Sequence, residues 1–454
     1  RAAAAARGRG SRESEFGAQG LGSTAWALAD MCVQAGPLLA AISAKSRATI
    51  SSFNAQALTN TAWSFAALEL HDEPLLQSIS EQAIRPISDF APQGLANTVW
   101  AFSTLSCGDD PLLDALSAAA LPHLDGSQPS AGNAFSLGLS VISLVQGFSS
   151  VGALDGALWQ RGAETVRRCG ELLDAAEGSG SAVDLSPKSH AGDLPTHPRV
   201  LAVRSSLCLL WKPPGWTVSV SADDDTLRGR EWDRPGALRF QDWLSQEYAG
   251  AHPIVRDART SYGLLHRLDR ETSGALCWAA SYRSFLTARL RFAARKVRKE
   301  YVCLCTGHFP ASHGRLLQSP LLEPLEDGSG QSEARVSEHG KPACTEVLAV
   351  GHFVGPGGGR FSIVLVRLHT GRRHQIRAHL AAEGHPLLGD LRYGGGTPSW
   401  CPRLFLHACR LALDAGDGPL DCSVPLPDDL RDTLALLEPT AASARVLGCR
   451  WLQL

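Results

Sequence analysis

The stretch LLHRLDRETSGALCWAAS, Leu264 to Ser281, decides how the second half of this chain is read. Gly274 to Ala280 is an apolar run of strand length, and the polar RLDRETS before it reads as loop and turn. Asp269 sits in that turn, and Gly274 permits another backbone to approach closely. Working outward, short apolar or alternating runs recur at Val200 to Trp211, Tyr301 to Cys305 and Phe361 to Leu368, with a few helical stretches between them. Residues 200–454 are therefore expected to form an α+β domain.

Toward the N-terminus the pattern changes. Residues 169–199 include EGSGSAVDLSPKSHAGDLPTHPR, a composition of Gly, Ser, Asp, Pro and His that reads as a linker. Before it lies an internal repeat: FGAQGLGSTAWALADM begins at Phe16, FNAQALTNTAWSFAALEL at Phe53 and FAPQGLANTVWAFSTLS at Phe90, a period of 37 residues. Gln19, Gln56 and Gln93 keep step, as do Trp26, Trp63 and Trp100. Leu58, Ala62, Phe65 and Ala66 fall at helical spacing, and a second amphipathic stretch from Pro74 to Ile84 follows a polar break, so each unit is a helix pair. A degraded fourth copy around Asn133 to Val145 places Leu137 where tryptophan stood. One pair cannot bury its own apolar face, which makes residues 16–168 a short α-solenoid with the repeated Trp and Phe expected in its core. Residues 1–15 are low-complexity.

The segment around Asp269 resembles the RluA family of RNA pseudouridine synthases, in which His-Arg-Leu-Asp, two variable residues and Thr-Ser-Gly surround the catalytic aspartate. Four more segments agree in order and spacing: WKPPGWTV (Trp211 to Val218), KEYVCLCTG (Lys299 to Gly307), LHTGRRHQIRAHLAAEGHPLLGDLRYG (Leu368 to Gly394) and LFLHACRLAL (Leu404 to Leu413). The resemblance implies a multidomain chain, the N-terminal α-solenoid followed by a C-terminal α+β pseudouridine synthase domain with a mixed, largely antiparallel sheet. It implies catalytic roles for Asp269 as nucleophile, Tyr301 as the aromatic that stacks on the base and assists proton removal at C5, and Arg377 as the cation beside the carboxylate. It also implies RNA contacts from Arg267, His266, Arg372, Arg373 and His374, with Arg267 filling the stack as the uridine leaves. The N-terminal repeat is similar to the helical repeats of organellar RNA-binding proteins, particularly the octotricopeptide type, which suggests a mitochondrion or plastid and otherwise the nucleus or cytoplasm.

The bare chemistry agrees with such a set. Converting uridine to pseudouridine breaks the N1–C1′ bond, turns the uracil and rejoins it through C5, with no redox change and no need of a cofactor. One carboxylate can supply covalent catalysis at C1′ or at the uracil ring, and both routes stay open. That carboxylate must remain ionised once water is excluded, which calls for a permanent cation beside it. The residues around Arg377 read as a helix with Arg373 and Arg377 as i, i+4 neighbours, Ile376 and Leu380 inward, and Gly384 and Pro386 at its end. An isolated Asp would ordinarily be a cap, an isolated Arg a solvated helix face and a strand Tyr a core residue; five collinear motifs favour the functional reading. Lys212-Pro213-Pro214-Gly215 and Gly389-Asp390 through Tyr393-Gly394 read as architectural turns.

Composition narrows the rest. The net charge of -2 conceals roughly seven excess acids before residue 200 and roughly five excess bases after it, so only the second half suits a polyanion. For the repeats, RNA contact and protein docking both stay open, and they are expected to set where the enzyme acts. No apolar run reaches membrane-spanning length. Twelve scattered Cys, with C-x-C at Cys303 and Cys305, fit neither a disulfide scaffold nor a zinc site, which points to a reduced intracellular protein. His266, His374, His379, His385 and His407 form no metal-ligand spacing, so no metal is expected. The partner implied is structured RNA, rRNA or tRNA, for an enzyme acting as a monomer away from membranes. Arg373 stands where the RluA family commonly has threonine, Asp223 to Thr260 is unusually charged, and the S4-type domain that often precedes this fold is replaced by the repeats. The rivals are an RNA-binding factor of the same fold with weak catalysis, and a nucleoside glycosidase with an aspartate nucleophile.

Overall fold

The computed structural model describes residues 17–105, 107–126, 129–178, 185, 196–218, 238–310, 313–322 and 333–440. The low-complexity segment 1–15, most of the linker and residues 223–237 of the charged stretch lie outside them. The chain divides into two compact units, Arg1–Val166 and Arg167–Leu454.

The first unit is helical: α1 (Ala18–Asp30), α2 (Gly36–Ala48), α3 (Ala55–Ala67), α4 (Glu73–Ala83), α5 (Pro92–Thr104), α6 (Asp110–Gly126), α7 (Ala134–Ser150) and the beginning of α8 (Gly156–Glu177). The starts are set by local chemistry. Asn54 caps α3 by accepting from the Ala57 amide at 2.9 Å, Asp72 caps α4 from Leu75 at 3.1 Å, and proline opens α2, α4 and α5. Helices α1, α3, α5 and α7 pack side by side through small residues: the hydroxyls of Thr59 and Thr98 lie 3.3 Å apart, and Gly22 rests against Ala57. The stripe Leu58, Ala62, Phe65 and Ala66 is buried, as are Phe53, Phe90 and Phe102.

Two expectations need correction here. The tryptophans are not core: Trp26 is 44% exposed, and Trp63 and Trp100 are half-buried, their rings 6.2 Å apart. The reason is angular, since Trp63 falls outside the helical stripe that Leu58, Ala62 and Phe65 define. The fourth copy exists in a different register. Helix α5 buries Leu95, Ala96, Thr98, Val99, Ala101 and Phe102, and α7 buries Val141, Ile142, Leu144, Val145, Gly147 and Phe148 in the same order. Gln146, not Leu137, thus stands in the place of Trp100. The slip follows from longer helices: α6 has 17 residues where α4 has 11, and α7 has 17 where α5 has 13.

The second unit is built on a sheet. Its elements are β1 (Arg199–Arg204), β2 (Leu207–Lys212), α9 (Phe240–Tyr248), β3 (Ser273–Ala279), α10 (Tyr282–Ala293), β4 (Arg298–Thr306), β5 (Arg315–Leu317), β6 (Leu321–Leu322), β7 (Arg335–Val336), β8 (Thr345–Val354), β9 (Arg360–Leu368), α11 (Gln375–Ala382), β10 (Leu406–Asp414), β11 (Pro419–Ser423), α12 (Asp428–Ala435) and β12 (Glu438–Pro439). The main sheet runs β1-β2-β3-β10-β4-β9-β8-β12, with β11 on β10 and β5 on β8. Among the described pairs only β3 with β10 is parallel, so the sheet is mixed and largely antiparallel, as the resemblance implied. Gly274 sits at that seam with φ +128°, and a Cβ on it would lie 2.3 Å from the Ala408 carbonyl oxygen. No larger residue fits there. Val302, Leu304, Ile363, Leu365, Phe405 and Leu430 form a core on one face of the sheet.

The segment read as linker begins as helix. Residues 169–177 are the end of α8, where Cys169 and Leu173 are buried one turn apart. Asp174 accepts from the Tyr282 and Arg283 amides at 2.7 and 3.1 Å, satisfying the open N-terminus of α10.

Candidate active site

Asp269 hangs from the turn that leads into β3. The Thr272 amide donates to the Asp269 carbonyl at 3.0 Å, closing that turn, and the Gly215 amide donates to the Arg270 carbonyl at 2.8 Å. Beneath it lies Lys212, the last residue of β2 and wholly buried, whose Nζ donates to the carbonyls of Pro213, Arg270 and Thr272 at 3.0, 3.0 and 2.7 Å. Burial lowers the Lys212 pKa to about 7, against the pull of Asp269 and Glu271. The three carbonyls use all three donors of an ammonium group, so Lys212 clamps the turn that carries Asp269 as well as ending a strand. Replacing Lys212 with Met is expected to leave these carbonyls buried without donors and to cost about 3 kcal/mol of stability, read by chemical denaturation. An unchanged midpoint would remove the clamp from the account.

Facing the turn is α11. His374 precedes its first turn with φ 51°, and Arg377, in that turn, is buried rather than solvated. Its guanidinium is shared: Nη1 donates to Asp269 Oδ2 at 3.2 Å, while Nε and Nη2 donate to the two oxygens of Asp390 at 2.7 and 2.8 Å. Tyr393 lies under the guanidinium at 5.1 Å, and its hydroxyl donates to the Ala334 carbonyl at 2.8 Å. Gly389, at φ +80° and packed against the Arg403 carbonyl, makes the turn that aims Asp390. Burial opposes charge on Arg377, but the two carboxylates hold it more firmly protonated than usual.

Burial would likewise raise the Asp269 carboxyl, yet His374, Arg377 and Arg267 together bring it below the ordinary value. His374 Nε2 is 4.0 Å from the carboxylate, but burial lowers that imidazole to about 4. At neutral pH it is uncharged, and the two arginines keep Asp269 ionised.

Tyr301 enters from β4, where it pairs with Ala408 and Val366. Its ring is buried, and its hydroxyl makes no hydrogen bond among the described residues. Burial first, then the charge of Asp269, push its pKa up. Tyr301 is therefore a neutral phenol beside an ionised carboxylate.

Residues 207–382 match the family described as RNA pseudouridylate synthase. The bovine RNA pseudouridylate synthase domain-containing protein 1 is 30% identical over 236 residues, covering 49% of this chain and 72% of that protein. This chain belongs to the RNA pseudouridylate synthase family. The dual-specificity RNA pseudouridine synthase RluA of Vibrio vulnificus is 29% identical over 198 residues, 43% of this chain and 77% of that one. The solved structure of human RNA pseudouridylate synthase domain containing 1 covers 54% of this chain and 89% of its own, at 25% identity and a TM-score of 0.40. Residues 12–126 match the family described as RNA-editing substrate-binding complex 6 protein.

As a pseudouridine synthase the chain is an isomerase, and its expected site residues separate into two groups. Asp269, Arg377 and His374 meet directly, with Arg267 near enough to lower the carboxyl and Tyr301 near enough to be raised by it. Others are held differently. His266 accepts from the Cys277 amide at 3.0 Å through Nε2 and stacks on Phe292 at 5.4 Å, which ties its ring to β3 and α10. Arg372 donates from Nε to the Pro342 carbonyl at 3.1 Å. Arg373 precedes α11, so it is not the i, i+4 helical neighbour of Arg377 that the pattern suggested. The αL residue His374 breaks the helical run, and the Gln375 side chain holds the turn by accepting from the Arg372 amide at 3.0 Å. His379, His385 and His407 bond to Ser319, Thr306 and Val424 carbonyls at 2.9, 2.9 and 3.1 Å. Asp390, Tyr393 and Lys212, read as parts of turns, stand within the site. An acid thirteen residues after a buried Arg carries no spacing signal, because it comes from a loop rather than from the same helix.

Proposed function

We propose that this chain isomerises specific uridines to pseudouridine in structured RNA, rRNA or tRNA, with Asp269 as nucleophile. The observation that supports it most is the ionised Asp269 carboxylate held at 3.2 Å by an arginine that Asp390 fixes from behind, with a neutral tyrosine opposite. Asp269 attacks either C1′ or the uracil ring, the N1–C1′ bond breaks, the base turns, and C5 bonds to C1′ as the carboxylate leaves. The proton on C5 then departs and one is taken up at N1, so no oxidant, reductant or external group takes part. Tyr301 packs against the base. Its raised pKa excludes a standing phenolate at neutral pH, so it assists proton removal by position and hydrogen bonding. Arg267 occupies the gap left by the flipped nucleotide, and Arg372, Arg373 and His374 line the approach of the strand.

Full-length protein given rRNA or tRNA carrying tritium at uridine C5 is expected to release tritium. No release from any structured RNA, alongside tight binding, would favour the weakly catalytic RNA-binding factor instead. Turnover is also expected to be unchanged in EDTA and without added nucleotide or reductant. A rate abolished by chelation and restored by zinc would return the histidines to consideration.

A further inference from the structure

The three tryptophans that left the core share their helix faces with other unengaged groups. On α3, Gln56, Asn60 and Trp63 lie at i, i+4 and i+7; α5 repeats this as Gln93, Asn97 and Trp100, and α1 as Gln19, Ser23 and Trp26. All nine are exposed or half-buried. The amides of Gln19, Gln56, Asn60, Gln93 and Asn97 make no side-chain hydrogen bond among the described residues. A solenoid gains nothing internally by repeating such groups while it buries Phe65 and Phe102 on the opposite side.

We propose that this ladder of indoles and amides binds an extended, Lys- or Arg-rich peptide. Alternate side chains of an extended strand repeat every ~6.6 Å, close to the 6.2 Å between the Trp63 and Trp100 rings. Successive cationic side chains then lie against successive indoles, and the amides bond the peptide backbone. Charge selects this occupant. Residues 17–166 carry twelve Asp and Glu against four Lys and Arg, and α1, α3 and α5 contain no Lys or Arg at all. A nucleic-acid strand laid along them finds no cation for its phosphates. The indole planes, 33° apart, are also poorly set to sandwich a base.

The test titrates full-length protein with an acetylated peptide of about twelve residues alternating Arg and Ala, its Glu-for-Arg counterpart, and unstructured single-stranded RNA, following tryptophan fluorescence and calorimetry. The basic peptide is expected to bind and the acidic one not, with Trp63→Ala/Trp100→Ala weakening the basic peptide by roughly tenfold or more and leaving RNA affinity unchanged. The half-buried pair Asn60→Ala/Asn97→Ala, whose side-chain amides make no hydrogen bond among the described residues, should weaken the same peptide while circular dichroism stays that of the parent. Equal affinity for both peptides, or a tryptophan variant that loses RNA and keeps peptide, overturns the proposal.

Discussion

Asp269→Asn is expected to abolish isomerisation while RNA binding survives. The amide keeps the shape of the side chain and its place beside Arg377, but it cannot form the covalent intermediate, so the rate should fall on the order of thousands-fold or more. The turn should persist, because it is held by backbone groups and by Lys212 rather than by the carboxylate. Single-turnover tritium release and a filter-binding isotherm on the same preparation separate the two effects. Near-normal turnover by freshly made protein, checked by mass for deamidation to the acid, would sink the nucleophile assignment.

Arg377→Met is expected to damage both activity and stability, and the structure shows how to separate them. The substitution strips two hydrogen bonds from buried Asp390 and one from Asp269, leaving a carboxylate uncompensated in the interior at a cost of about 3 to 5 kcal/mol. Arg377→Met/Asp390→Asn removes the stranded charge and should recover much of the melting temperature. It should not recover turnover, since Asp269 still lacks its cation. With that cation gone, burial dominates and the Asp269 pKa rises, so the acid limb of the pH profile should move to higher pH. A double variant with full turnover at neutral pH would show that Arg377 serves only the fold.

Much of the catalytic unit was legible because its strands are short apolar runs and its motifs are collinear. Val200 to Trp211 proved to be the β1–β2 hairpin, and the run after Gly274 proved to be β3. What stayed illegible depends on partners distant in sequence. Lys212 looked like the lead-in to a turn because its three acceptors include carbonyls of Arg270 and Thr272, roughly sixty residues away. In the repeats, the 37-residue period gave the helix pairs but not the exposure of their tryptophans, although the stripe through Leu58, Ala62 and Phe65 already left Trp63 aside. Residue type alone points a large apolar side chain inward, and angular position overrules type here. A constant period misplaces the fourth copy because α6 is six residues longer than α4 and α7 four longer than α5.

The parallel seam between β3 and β10 also dictates an order of assembly. Each helix pair of the first unit closes on neighbours that leave the ribosome soon after it, so that unit can consolidate during synthesis. Strand β3 pairs early with β2, and Leu264 bridges its far end at Trp278, but its Ser273–Gly274 end acquires a second neighbour only when β10 arrives, since Ser273 and His407 are 134 residues apart. The end of β3 that follows Asp269 therefore stays open on one side until β10 has emerged. A chain cut anywhere between residues 281 and 406 carries the aspartate on a strand that lacks its β10 neighbour, which ties the onset of chemistry to the arrival of β10.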